Sequence, residues 1–243
     1  MKKLFGFTLA EVLITLGVIG VVAAMTIPTL MKNYRRHLVE TRVKHTYATI
    51  SQVFRQAQVD NGEMYGWDLS DISGDEDKQT KDSVYNFIST YMLPYMTNAT
   101  VTTKKMTNKE FGYNKGIYDP YAKTYDNFNT YFITLNNGVL LQPKLAIVNG
   151  GKAIASITIY FDIDGLSGQN TWGKDVFGIS IIPATGEQEM TGETLTFYTS
   201  TGLPAEKGSR STILKYCKTT GPNYCGALIK WDGWKISNDY PWL

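Results

Sequence analysis

Glu11 is the one acid in an apolar stretch that opens at Phe7, and the twenty residues after it, Val12 to Met31, carry no charge. A lone carboxylate in a membrane helix costs on the order of 3 kcal/mol and calls for a cationic partner. Two cysteines, Cys217 and Cys225, stand close together near the other end of the chain. Beyond a membrane segment, such a pair reads as a disulfide in an oxidising compartment. The alternative is a metal site, for which two thiolates are too few ligands, and His37 and His45 lie far away in sequence. A third group, Asp162, Asp164, Asn170 and Asp175, brackets a glycine-rich stretch between two apolar runs. With loop carbonyls, these oxygens suit a hard cation such as calcium. They equally suit turns in which Asp and Asn bond their own backbone beside glycines at positive φ. The spacing is not that of an EF-hand, because glycine follows directly after the second Asp and no glutamate closes the loop at the twelfth position.

Signatures of catalysis are missing from the sequence. It has no HExxH, no GxSxG elbow and no phosphate-binding glycine loop, and the reading is of a protein that is not an enzyme. The formal net charge of +2 argues against a dedicated nucleic-acid binder. Lys104, Lys105, Lys109 and Lys115 could form a basic loop for DNA, although a solvated loop explains them as well. Tyrosine occurs 16 times alongside many Thr and Asn, which suits a strand-rich domain facing water.

The uncharged run of twenty residues would span about 30 Å as a helix, the thickness of a hydrocarbon core. A secretory signal peptide cleaved near Val22-Ala23-Ala24 would account for Lys2 and Lys3, but not for the glutamate or for the apolar run that continues to Met31. A plain anchor explains the length without Glu11. A buried core helix explains neither length nor basic leader. The stretch Gly6-Phe7-Thr8-Leu9-Ala10-Glu11, after a short basic leader and before a long apolar helix, resembles the N-terminus of type IV pilins and type II secretion pseudopilins. The close match covers residues 1–35.

That resemblance implies a definite course. A prepilin peptidase would cut between Gly6 and Phe7 on the cytoplasmic side and methylate the amine of Phe7. Glu11, the fifth residue of the mature chain, would pair with the Phe7 amine of a neighbouring subunit and set its register in a filament. Pro28 would kink or loosen the helix. The implied partners are the peptidase, membrane lipid, other pilin-like subunits and an inner-membrane assembly platform. The machine would be a type IV pilus or a type II secretion pseudopilus, with a DNA- or surface-binding minor subunit as the other reading. No cofactor is implied beyond calcium, which some related pseudopilins hold in a head loop, and Asp162 to Phe177 is similar to a stretch found in many pilin-like heads. The protein would cross the inner membrane once, with its head outside the cytoplasm. A count of positive charges alone points the other way, with Lys32, Arg35 and Arg36 at the far end against Lys2 and Lys3 at the near end.

These residues need elements to position them. The expected fold is α+β and pilin-like: a leader (1–6), a membrane or filament-core helix (7–31), its amphipathic continuation (32–60) and a globular head (61–243). Val43, Tyr47, Ile50, Phe54 and Ala57 recur at helical spacing as a docking stripe, with Arg42, Lys44 and Arg55 on the other face. Asn61-Gly62 is a stop signal. Residues 61–82 read as an acidic loop and Ser83 to Tyr95 as a helix. Tyr131–Leu135 and Val139–Gln142 read as a hairpin around Asn136-Asn137-Gly138, with further strands at Ile154–Ile163 and Phe177–Ile182. That makes about four antiparallel strands, with the cysteine-bearing C-terminal segment wrapped over them.

Overall fold

The computed structural model describes residues 6–64, 67, 81–102, 131–148, 153–165, 170–181, 195–196, 209–219 and 222–243. The acids Asp68, Asp71, Asp75, Glu76 and Asp77 and the lysines Lys104, Lys105, Lys109 and Lys115 lie outside the described residues. So do residues 1–5, the greater part of the leader.

Helix α1 (Leu9–Asn61) dominates the molecule. At about 1.5 Å per residue it is about 80 Å long. It starts with Thr8 as N-cap and Glu11 reaching back to it, and it ends at Gly62, whose φ of 78° takes the chain out of helical space. The helix runs unbroken through Pro28, where the missing N–H leaves one turn without its bond. Its first half has no packing partner among the described residues: Leu13, Ile14, Ile19, Val21 and Met25 are all exposed. Length and composition make this helix able to cross a membrane, with a mean hydropathy of 2.2 in its apolar window.

The second half is amphipathic. Val39, Val43, Thr46, Ile50, Val53, Phe54 and Ala57 are buried, at steps of three and four that keep them on one stripe. Arg42 departs from the expected polar face. It flanks the stripe, is half-buried, and its guanidinium donates to the Ile163 carbonyl at 2.5 Å. A long apolar stem lets arginine lie along the head and still carry its charge to a polar partner.

The expected helix over 83–95 divides in two. Helix α2 (Lys81–Tyr91) gives way to a 3-10 turn at Leu93–Tyr95, because Pro94 has no N–H and disfavours the α conformation of Leu93. Among the described residues, six strands then form one antiparallel sheet in sequence order: β1 (Thr100–Val101), β2 (Ile133–Thr134), β3 (Leu140–Val148), β4 (Ala153–Asp162), β5 (Val176–Ile181) and β6 (Leu195–Thr196). The expected hairpin is β2–β3, with Leu141 opposite Ile133, and Gly138 at φ 83° supplies the left-handed turn residue. Two of the extra strands, β1 and β6, are two-residue edges, too short to leave a periodic signal.

Alternation sorts the sheet's faces. Ile157, Ile159 and Phe161 of β4 and Phe177, Ile179 and Ile181 of β5 join α1 and α2 in one core. Trp67, just beyond α1, lies flat on Tyr91 with ring centroids 4.1 Å apart. On the opposite face of β4, Tyr160 packs edge-on against Trp172, which is buried with Val176.

The C-terminal segment wraps over the head as expected, and it includes two helices. They are α3 (Arg210–Thr219) and α4 (Pro222–Trp231), joined by the Cys217–Cys225 disulfide. Ser209, accepting from the Thr212 N–H, caps α3, and Pro222 opens α4. These start signals are present in the sequence but mark helices of only ten residues each. The whole is the pilin-like α+β layout.

Candidate functional site: the helix start and the polar loop

The start of α1 is a short extended segment leading into a reciprocal cap. Gly6 and Phe7 precede the helix, and Phe7 is 88% exposed. The Glu11 carboxylate accepts from the Thr8 N–H at 2.8 Å and from its hydroxyl at 2.7 Å, while Thr8 Oγ1 accepts from the Glu11 N–H at 3.3 Å. This capping box satisfies donors that the first helical turn leaves open. It also fixes the carboxylate at the helix tip, within a turn of Phe7, and a Cβ on Gly6 would meet no atom of the described residues within 4 Å.

The basic cluster at the far end of the apolar half is partly committed to the head. Arg36 donates to Asn238 at 3.1 Å and to the Leu243 carbonyl at 3.0 Å. One turn on, Glu40 accepts from the Ile236 N–H at 2.8 Å and pairs with Lys235 at 3.2 Å. The last residues of the chain are thus tied to α1 where it enters the head.

Asp162, Asp164, Asn170 and Asp175 do come together, in a buried polar loop beyond the end of β4. Asp162 Oδ1 accepts from the N–H groups of Asp164 and Gly165 at 3.0 and 3.1 Å. Asp175 Oδ1 accepts from the Thr171 N–H at 2.5 Å, and the Asp175 carbonyl receives the Ile163 N–H at 2.9 Å. Two of the four residues therefore serve as the turn caps that the sequence allowed. The loop is also densely shielded. Asp162, Asn170 and Asp175 are all less than a tenth exposed. Burial pushes the Asp162 carboxyl up to about 8, with the neighbouring Asp164 adding to the rise. Asp175 rises to about 6, again chiefly through burial, although the Thr171 N–H works against it.

Two carboxamide and carboxylate oxygens are left over. Asp164 Oδ1 and Asn170 Oδ1 are buried without a hydrogen-bond partner among the described residues. Orphaned buried acceptors of this kind fit a cation or an ordered water. Among the described residues, however, no three His, Cys, Asp or Glu side chains are arranged to hold a metal. A cation here would need Asn170 and backbone oxygens to complete its shell.

The loop is clamped from outside by the C-terminal segment. Tyr240 donates its hydroxyl to the Gly173 carbonyl, and Trp242 Nε1 donates to the Cys217 carbonyl at 3.2 Å. Sequence reading missed the tie that holds this segment. Arg210 reaches Asp232 through two bonds of 2.6 and 2.7 Å, Asp239 through two of 2.8 Å and Ser237 through one of 2.8 Å. The guanidinium holds the carboxyls of Asp239 and Asp232 below their ordinary range. Their stabilisation is therefore present above about pH 4 and fades as the pH falls below it. Arg210→Met should cost about 1–2 kcal/mol, after allowing for partial exposure of the guanidinium. Hydrogen exchange would place the loss: amides of 232–243 should exchange faster while those of β4 and β5 keep their protection.

Comparison with known proteins adds one finding. A model for a family of unknown function, DUF6613, matches residues 29–114 and 149–243, a span that includes both cysteines, the polar loop and Arg210 but not Gly6, Phe7 or Glu11. Neither the curated proteins nor the solved structures hold a match. With well over half of its residues matched, the chain belongs to the DUF6613 family of unknown function.

Proposed function

We propose that this protein is a pilin-like structural subunit without catalytic activity, cut after Gly6 by a prepilin peptidase, methylated on Phe7 and assembled into a type IV pilus or a type II secretion pseudopilus. The observation that carries this reading is the division of α1. One continuous helix has an apolar half with no partner among the described residues and a half buried in the head. Copies packed side by side would cover the exposed half, as lipid does before assembly. Glu11 stands at the tip of that half and is the acid a neighbour's Phe7 amine would meet. The extended, exposed Gly6–Phe7 bond suits a peptidase cleft. Arg36 supports a head outside the cytoplasm, because its charge serves the fold and so counts less as a juxtamembrane signal.

N-terminal sequencing of the chain from membranes is the test. The expected start is N-methylated Phe7, and Gly6→Val should abolish it. A start near Met25 would identify a signal peptide, and retention of Met1 a plain anchor; either would end the assembly reading.

The orphaned oxygens of Asp164 and Asn170 favour a narrower proposal, a calcium ion in the polar loop. A dication there would satisfy both oxygens and offset the crowding of Asp162, Asp164 and Asp175. Calcium at a hundredfold over its dissociation constant should then stabilise the whole chain in detergent by about 2.7 kcal/mol, a rise in melting temperature of about 5–10 °C. Equal melting in calcium and in chelator would leave these residues as turn caps alone.

A further inference from the structure

On the face of α1 turned away from the buried stripe lies a groove of about 540 Å³. Lys44, Tyr47, Ser51, Arg55 and Val59 line it from the helix, and Trp234 closes it from the C-terminal segment. Its floor is aromatic: Tyr47 and Trp234 sit with ring centroids 5.1 Å apart. Its rim is cationic. Lys230 bonds the Tyr47 hydroxyl at 2.9 Å and lies 4.8 Å from that ring. Lys44 and Arg55 are exposed and have no ion-pair partner among the described residues. Val59, at one end, is 76% exposed. Such a groove fits an acidic peptide with aliphatic side chains, taken up by charge at the rim and apolar contact on the floor.

This chain carries such a peptide. Residues 68–77, Asp-Leu-Ser-Asp-Ile-Ser-Gly-Asp-Glu-Asp, hold five acids, no base, and the aliphatic pair Leu69 and Ile72. The described residue before it, Trp67, is packed against Phe54 and Tyr91 on the buried side of α1, opposite the groove. Helix α2, which follows the segment, packs on that same side. The described residues that flank the segment, Trp67 and those of α2, thus lie on the side of the helix opposite the groove. We infer that the groove receives residues 68–77 of a second copy of this chain, so that each head presents an acidic peptide to the basic groove of its neighbour. The inference rests on the assembly reading for the side-by-side placement of copies, and it adds a head-level contact to the one at Glu11.

Cross-linking tests it on the full chain in membranes. Two differently tagged copies carry Ser51→Cys in the groove and Ser73→Cys in the acidic peptide, so no charge is altered, and the native cysteines are already bonded to each other. Oxidation should yield a dimer bearing both tags. Arg55→Glu in the groove copy should lower its yield at least tenfold, and Asp75→Arg in the other copy should restore it. A single chain carrying both cysteines that cross-links only within itself would overturn the inference, as would a mixed dimer indifferent to charge reversal. The two readings fail separately. Filaments of mature chain without the mixed dimer would overturn this contact and leave assembly standing. A charge-dependent dimer of chains never cut at Gly6 would keep the contact and overturn assembly.

Discussion

Glu11→Val should leave the chain in the membrane at its usual level and lower its amount in sheared filaments at least tenfold. The two halves of that result have different causes. Valine is cheaper to hold in lipid than a carboxylate, by on the order of 3 kcal/mol, so insertion does not suffer. Assembly loses the only acid in the exposed apolar half of α1, and with it the charge that a neighbour's Phe7 amine would seek. Valine also removes the half of the capping box that Glu11 supplies to Thr8. Glu11→Gln separates the effects. Glutamine can still accept from the Thr8 N–H, as in a capping box, but it carries no charge. If intersubunit pairing is the role, Gln fails as Val does. Filaments at normal yield with Gln would place the role of Glu11 in capping and remove the ion pair.

The second large effect belongs to Gly173. Its φ is +76°, and an added Cβ would stand 2.6 Å from Trp242 Cδ1 and 2.7 Å from Cys225 Sγ. Neither neighbour can retreat cheaply: the sulfur is bonded to Cys217, and the indole is held by its bond to the Cys217 carbonyl. Left-handed backbone costs an alanine about 1–2 kcal/mol, and overpacking adds about 1–3 kcal/mol. Gly173→Ala should thus destabilise the head by about 2–5 kcal/mol. Gly233→Ala is the control, because Gly233 has φ +69° and no atom near the added Cβ. It should lose only the backbone part. Denaturant unfolding of both variants decides the matter, and equal losses would mean that the contact with Trp242 and Cys225 carries no cost.

The polar loop divides between what was legible and what was not. The Asp and Asn spacing announced a turn beside a strand end, and Asp162 and Asp175 do bond nearby backbone N–H groups. That much is local, since the partners lie within four residues. The Tyr240 and Trp242 side chains that close on Gly173 in this loop come from some seventy residues away in sequence, and no spacing rule reaches so far. Arg42 went the same way. Helical periodicity placed it on the face opposite the docking stripe and could not say that the Ile163 carbonyl would draw it to the head.

By itself the sequence determined the features whose interactions are local or compositional. An uncharged run long enough for a bilayer needs no partner to be recognised, and the stripe from Val43 to Ala57 follows from the helical period. The Asn136-Asn137-Gly138 turn follows from glycine's access to positive φ, and the pairing of two cysteines eight residues apart leaves no choice of partner. Only the tertiary structure decided that the C-terminal segment would be two helices locked by Arg210 to Asp232 and Asp239, and that Arg36 would hold residues 238 and 243. Those bonds join residues 22 to 207 positions apart. Their geometry exists only after the core has brought α1, the sheet and the C-terminal segment together, and a short helix without that core would not hold its shape in water.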